Sequence, residues 1–252
     1  MDNNKIITAR IEDKLEQCER GSYITTTGFL NMHEQSLAMR IVKGRSDVKS
    51  FFYGGYDDAE RRIILFVPDG YADTLEGALE MISPLSVLHI KVAPGSRKLT
   101  HRDYLGSVLS LGLDRSVIGD ILVNDKGADM IVNSDIVDFL LSEFHSAGHT
   151  NLQITASDIG ELEVPEQRVK AVRDTLSSPR LDNVVSAAFH VSRSEAVRAI
   201  KGGIVFVNHE EVTKIDKRID EGDTIVVRGK GKAELAELAK KGRIWAEFKV
   251  FI

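Results

Sequence analysis

The sequence predicts an α+β chain of three folded segments, the last of them basic. Three observations lead there. Apolar spacing switches repeatedly between the helical and the strand period. The middle of the chain orders its elements as β-α-β-β-α-β. The charge also breaks at Pro179: residues 179–252 carry 14 Lys/Arg against 11 Asp/Glu, a net of +3, and residues 1–178 carry −8 of the total −5. A uniformly basic nucleic-acid binder is therefore excluded, but a basic module at one end is not. With 42% hydrophobic residues and 5 Pro in 252 positions, the chain has the composition of an ordinary soluble protein. Its one cysteine, Cys18, rules out an internal disulfide and any Cys-rich zinc module. The first residues lack a signal-peptide apolar core, and no run approaches the roughly 18 apolar residues of a membrane span. A cytoplasmic monomer away from membranes, without metal or other cofactor, is expected.

In the first segment, Ile7, Ile11 and Leu15 at spacing four predict a helix over 6–20. A second helix follows Asn31. Val48–Tyr53 and Ile63–Val67 read as strands, closed by Gly54-Gly55 and Pro68. This is an N-terminal α/β domain, 1–75. In the second segment, 86–92, 119–123, 128–132 and 151–155 read as strands, with helices over 100–111 and 134–146. That order is the ferredoxin-like arrangement shared by RNA-recognition sheets, and it defines an RRM-like domain, 76–160. Pro165 and Pro179 bracket a stretch of helical composition, read as a linker helix over 161–178. In the last domain, 179–252, helices are expected at 180–190, 192–201 and 233–240. Strands are expected at 204–207, 224–227 and 245–250.

The most informative stretch is Ser192-Arg193-Ser194-Glu195-Ala196-Val197-Arg198-Ala199-Ile200-Lys201-Gly202-Gly203. Ser192 and Glu195 form an S-x-x-E capping box. Ala196, Val197 and Ile200 make the buried stripe, and Arg198 and Lys201, three apart, share a face. Cations and a helix start with free N–H groups on one surface suit a phosphate backbone. The same spacing also describes a solvated helix face.

Arg180-Leu181-Asp182, Ser192-Arg193-Ser194, Ile200-Lys201-x-Gly203, Val205-x-Val207-Asn208 and Gly222-Asp223 resemble the small RNA-binding domain named after the fourth small-subunit ribosomal protein, the S-four domain. The resemblance implies RNA contacts from Arg180, Ser192, Arg193, Ser194, Arg198, Lys201, Asn208 and, in a variable loop, Lys214. Asp182 is implied as a contact or a cap. His209 stands where family members often have Gly. The basic turn at Lys230 and Lys232 is a further contact candidate. Upstream, Thr27–Leu30, Gly54–Arg62, Leu99–Gly106, Leu111–Arg115 and Ile118–Ile121 are distinctive strings. In this order, ahead of the S-four domain, they resemble the bacterial YlmH family over nearly the whole chain. That family implies a protein of the large ribosomal subunit that binds ribosomal RNA, with tRNA, in quality control of stalled nascent chains. An older cell-division label attaches to it as well.

Arg61, Arg62, Arg97, Lys98 and Arg102 suggest a second basic platform. Thr100 and Asp103 read as a capping box, with Asp103 paired to an arginine as the structural alternative. The central strands hold no pair of exposed aromatics, so base stacking there is not expected. Other fragments fail as motifs. His101-Arg102-Asp103 lacks the Asn of a kinase catalytic loop, since the position is Val108. His145 and His149 lack the Glu of a zinc helix. Arg180-Leu181-Asp182 also resembles the nucleophile string of pseudouridine synthases. Too little chain follows it for a catalytic domain, so a non-catalytic binder is favoured over an RNA-modifying enzyme or a septal interaction protein.

Overall fold

A computed structural model describes residues 3–45, 47–164, 169–241 and 243–251. It is an α+β protein with three sheets, divided into two compact units, Met1–Pro165 and Glu166–Ile252.

The first unit begins with α1 (Asn3–Gly21), β1 (Thr25–Thr26), α2 (Met32–Val42), β2 (Val48–Tyr53) and β3 (Ile63–Pro68). The strands pair antiparallel in the order β1-β3-β2. Ile7, Ile11, Leu15 and Cys18 form the buried stripe of α1 and pack with Ile64 and Phe66. The alternate residues of β3, Ile63, Leu65 and Val67, pack on the other side with Leu85 and Ile131. Both faces of β3 are therefore covered, which is why it reads as an unbroken apolar run.

The chain continues through α3 (Leu75–Met81), β4 (Leu85–Val92), α4 (His101–Leu109), β5 (Ile118–Asn124), β6 (Gly127–Asn133), α5 (Val137–Glu143), β7 (Ser146–Ala147) and β8 (Thr150–Asp158). The strands form an antiparallel sheet in the order β5-β6-β4-β8-β7. Leu88 and Ile90 pack with Tyr104, Val108, Leu140 and Phe144 of α4, α5 and the residue after it. The unit is thus layered as helix, sheet, sheet, helix. The N-terminal sheet packs on the lower half of the central one through Leu85 and Ile131, so residues 1–75 and 76–160 share one packed body.

The second unit contains β9 (Val169–Leu176), α6 (Leu181–Ala188), α7 (Arg193–Lys201), β10 (Val205–Val207), β11 (Glu210–Glu211), β12 (Thr224–Val227), β13 (Gly231–Lys241) and β14 (Arg243–Phe251). Its sheet has the order β11-β10-β12-β13-β14-β9. Leu181, Val184, Val185, Ala196 and Ile200 of the two helices pack on Val205, Ile225, Leu235 and Phe248.

Two expected helices are strands. Where a linker helix was expected over 161–178, residues 169–176 form β9, paired with β14 from Val169↔Phe251 to Ile244↔Leu176. Residues 165–168 of that stretch lie outside the described residues. The run Ala233-Glu-Leu-Ala-Glu-Leu-Ala-Lys240 has strong helix formers, yet it lies in β13. There it pairs with β14 along the run and with β12 at Ala233 and Glu234, with a bulge between Leu235 and Glu237. Two ladders and the burial of Ala233 and Leu235 outweigh about 0.7 kcal/mol or less of propensity per residue. No helix among the described residues is long and apolar enough to cross a membrane.

Candidate nucleic-acid interface

Helix α7 begins with the expected capping box. The Ser192 hydroxyl accepts from the Glu195 N–H at 3.2 Å, and the Glu195 carboxylate accepts from the Ser192 N–H at 3.1 Å. The Ser192 N–H and hydroxyl, both donating to that carboxylate, hold the Glu195 carboxyl below its usual range, with smaller help from Lys230 and Arg198. The basic turn after β12 therefore lies electrostatically close to α7. Arg198 and Lys201 are exposed in its last turns and Arg193 and Ser194 in its first. Ser194 Oγ lies 3.0 Å from Ser192 Oγ, so the two hydroxyls form a pair at the helix start.

Asp182 organises the arginines. Its side chain is only 2% exposed. One oxygen accepts from Arg180 Nε at 3.1 Å, and the other from Arg193 Nε and Nη2 at 3.0 and 2.9 Å. Burial alone would raise this carboxyl. The hydrogen bonds and charges of Arg193 and Arg180 outweigh it, and the net direction is down. The Arg193 and Arg180 side chains remain 60% and 40% exposed while their guanidiniums are held by Asp182. Asp182 is thus an internal anchor. The expectation that it contacts RNA is corrected by its burial, as is the resemblance to a synthase nucleophile, whose carboxylate would have to face a substrate.

The loop before β12 completes this surface. The N–H groups of Leu181 and Asp182 donate to the carbonyls of Lys217 and Ile215, which places the loop at the start of α6. Lys214, 75% exposed and 4.0 Å from Asp216, belongs to it. Asn208 is exposed and has a structural part as well. Its side chain donates to Asp223 at 2.7 Å and accepts from the Thr224 N–H at 2.9 Å, bracing the β10–β11 turn. Asn208 and His209 both have positive φ, 50° and 67°, so His209 adopts the left-handed conformation that Gly takes more easily. Lys230 is exposed in its turn, and Lys232 lies over the Phe251 ring at 4.6 Å. Arg228, overlooked in the sequence, lies over Phe206 at 5.5 Å beside the same turn. Only register could have found it, because the ring it covers is 22 residues earlier.

The second platform does not assemble as expected. Arg61 turns inward. Its Nε donates to the Ile118 carbonyl at 3.0 Å, and its Nη2 to Phe29 and Arg115 carbonyls at 3.0 and 3.1 Å. Arg62 donates to the carbonyls of Ala59 and Asp57. Burial is the main influence on both and pushes their pKa values down. Arg97 pairs with Asp103 at 2.8 Å, and Lys98 with Asp125 at 3.3 Å. Arg102 is exposed on α4. The Thr100–Asp103 capping box is present, and its backbone hydrogen bond leads the causes that bring Asp103 down to about 2.

Four of the distinctive strings, Thr27–Leu30, Gly54–Arg62, Leu111–Arg115 and Ile118–Ile121, meet at the seam between the two sheets, whereas Leu99–Gly106 packs on the far face of the central sheet. Besides the Arg61 bonds, the Phe29 N–H donates to the Ser116 carbonyl at 2.6 Å. Asp120 accepts from Tyr56 Oη at 3.0 Å and from the N–H groups of Glu60 and Arg61 at 2.7 and 3.1 Å. Gly119 has no room for a side chain, since a Cβ would lie 2.7 Å from the Phe29 ring. A further polar line crosses the central sheet: His89 bridges Asp129 at 2.6 Å and Ser157 at 2.8 Å. Ser157 lies inside β8. The line ties three strands together. Among the described residues, no three His, Cys, Asp or Glu are grouped to hold a metal ion.

Comparison with known proteins is consistent along the chain. Residues 3–71 match the family described as "YlmH, N-terminal", 84–161 that described as "Putative RNA-binding domain in YlmH", and 179–225 the S4 domain. A curated protein of Bacillus subtilis (strain 168), "Ribosome-associated protein quality control protein P2", is 32% identical over 215 residues, covering 85% of this chain and 81% of that protein. A solved structure, "Cell division protein ylmH from Streptococcus pneumoniae", superposes with a TM-score of 0.51 at 20% identity, covering 64% of this chain and 94% of that one; the likeness is one of fold.

Proposed function

The chain belongs to the YlmH family, and on that premise we propose that it is a non-catalytic protein that binds structured ribosomal RNA, together with tRNA, on the large ribosomal subunit. Its setting is the cytoplasm, and its process is the quality control of stalled nascent chains. The name of the B. subtilis relative supports the process, and the S-four match supports the RNA. The observation that carries the reading is the Asp182 anchor. A buried carboxylate holds Arg180 and Arg193 beside a capped helix start, with Arg198 and Lys201 exposed along the same helix. Guanidiniums already held in place lose less freedom when they meet phosphate. The contacts are Arg180, Arg193, Ser194, Arg198, Lys201, Lys214 and Lys230, with Ser192 holding the helix start.

The central domain, in this reading, is RRM-like. Counted from its own first strand, its four long strands lie in the order 2-3-1-4, which supports the ferredoxin-like arrangement. None of these strands contains Phe, Tyr or Trp, so this sheet serves by shape and polar contact and not by base stacking. The boundaries 1–75 and 76–160 are kept as domains packed together, and the last domain starts ahead of Pro179, because β9 (Val169–Leu176) belongs to its sheet and core.

Crosslinking in cells followed by RNA sequencing tests the reading. Peptides from 179–252 should crosslink to large-subunit ribosomal RNA. Crosslinks confined to messenger RNA, or a protein that sediments away from ribosomes at low salt, would refute it.

A further inference from the structure

A cavity of about 540 Å³ opens at the seam of the first unit, between α1 and the segment around Ser116. Four cations line it: Arg10 and Lys14 from α1, Arg61 and Arg115 from the seam. The last two are close neighbours. Arg115 Nη1 donates to the Ile118 and Gly119 carbonyls and its Nη2 to Gly119 at 3.1 Å, while Arg61 donates to the carbonyls of Ile118 and of Arg115 itself. Neither has a carboxylate within ion-pair distance among the described residues, and Arg61 Nη1 and Arg115 Nε have no acceptor there. Burial, then repulsion from Arg61, brings the Arg115 guanidinium down to about 10. Glu34 and Asp120 act on both arginines, and Asp114 on Arg61, from beyond ion-pair distance. Glu34 accepts from the Asn31 N–H and Asp114 from the Ser116 N–H, each capping a helical turn. Asp13 is exposed on α1. Two adjacent, partly buried like charges whose carboxylates stand only at longer range are an arrangement that a bound anion relieves.

We infer that this cavity is a binding site for a phosphate ester of mononucleotide size, held by Arg10, Arg61 and Arg115. Its volume lies within the range of small-ligand sites, about 300–1,000 Å³, and exceeds the need of a bare phosphate. Arg61 and Arg115 give fixed donors, and Arg10, whose exposed side chain makes no hydrogen bond among the described residues, closes on the ligand from the α1 side. This site lies in a different unit from the S-four surface and goes beyond the function proposed above.

The test is calorimetric titration of the full chain with adenosine monophosphate and, separately, with inorganic phosphate. Saturable binding of the nucleotide, tighter than that of phosphate, is expected. Arg10→Glu should weaken it on the order of tenfold, the equivalent of about 1.4 kcal/mol, without changing the melting temperature. Arg198→Glu should leave it unchanged, so failure of this site and failure of the S-four reading are separately visible. Competition by a short 5′-phosphorylated RNA would identify an RNA end as the source of the phosphate, and lack of competition a free nucleotide. No saturable binding of the nucleotide at millimolar concentration, or equal affinity in wild type and Arg10→Glu, would overturn the inference.

Discussion

Replacing Asp182 by Asn keeps the shape of the anchor and removes its charge. Three hydrogen bonds of 2.9–3.1 Å from two guanidiniums then meet an amide, one end of which is itself a donor. Hydrogen bonds to charged groups contribute about 1.5–3 kcal/mol each, but these arginines are 60% and 40% exposed, and they can turn to water once released. A total loss of about 2 kcal/mol follows, below the 3–5 kcal/mol of a fully buried broken pair. For a unit the size of Glu166–Ile252 that corresponds to a fall of roughly 8–16 °C in its melting temperature. RNA affinity should fall on the order of tenfold, about 1.4 kcal/mol, because Arg193 and Arg180 lose their fixed orientation. The effect has a pH signature. The folded carboxyl is depressed, so its stabilisation is complete above the unfolded value near about 4 and is lost as pH falls through the lower folded value. Thermal melts of both proteins between neutral and acid pH, with RNA filter binding at neutral pH, decide the matter. Equal melting temperatures at neutral pH, or a difference that does not shrink on acidification, would refute the anchoring argument.

Other outcomes are equally open to measurement. Arg198→Glu should abolish RNA binding and leave the melting temperature nearly unchanged, because the Arg198 side chain is exposed and makes no hydrogen bond among the described residues; Arg193→Glu, set against buried Asp182, should lower both. If about four phosphates are neutralised, the slope of log K against log salt should be roughly −3, so binding weakens on the order of 50-fold from 50 to 200 mM salt; a flat response in a filter-binding series would contradict it. Thr100→Ala should destabilise the first unit by about 1 kcal/mol through loss of the α4 cap, read by urea denaturation. Gly127→Ala should give little folded protein, since φ is +152° and its methyl would overlap the Ile90 carbonyl oxygen.

Much of this was legible because its causes are local. The α1 stripe, the unbroken run of β3, the helix start after Asn31 and the capping boxes at Thr100 and Ser192 each need only a few neighbouring residues. The failures share the opposite property. β13 looks helical in isolation and is a strand because β12 and β14 lie on either side. β9 finds its partner about 70 residues later. Arg61 looked like a surface cation because its acceptors are backbone carbonyls of Phe29, Arg115 and Ile118, and carbonyls leave no trace in residue type. The S-four surface lay between these extremes: helix period and cap placed Arg193, Arg198 and Lys201, and only the fold shows that Asp182 aims inward.

The pairing of β9 with β14 sets the order in which the second unit is completed during synthesis. β9 is made before either helix of that unit, yet its only sheet neighbour is the last strand described. Until β14 has been translated, β9 has no partner and β13 shows a bare edge, and a bare edge invites pairing with other chains. Val172 and Leu176 of β9 join the core that also buries Leu181, Val184 and Ile200. A nascent chain stopped before β14 therefore holds both helices of its RNA-contact surface on an unfinished core, and the last strand sets the moment at which that surface becomes rigid.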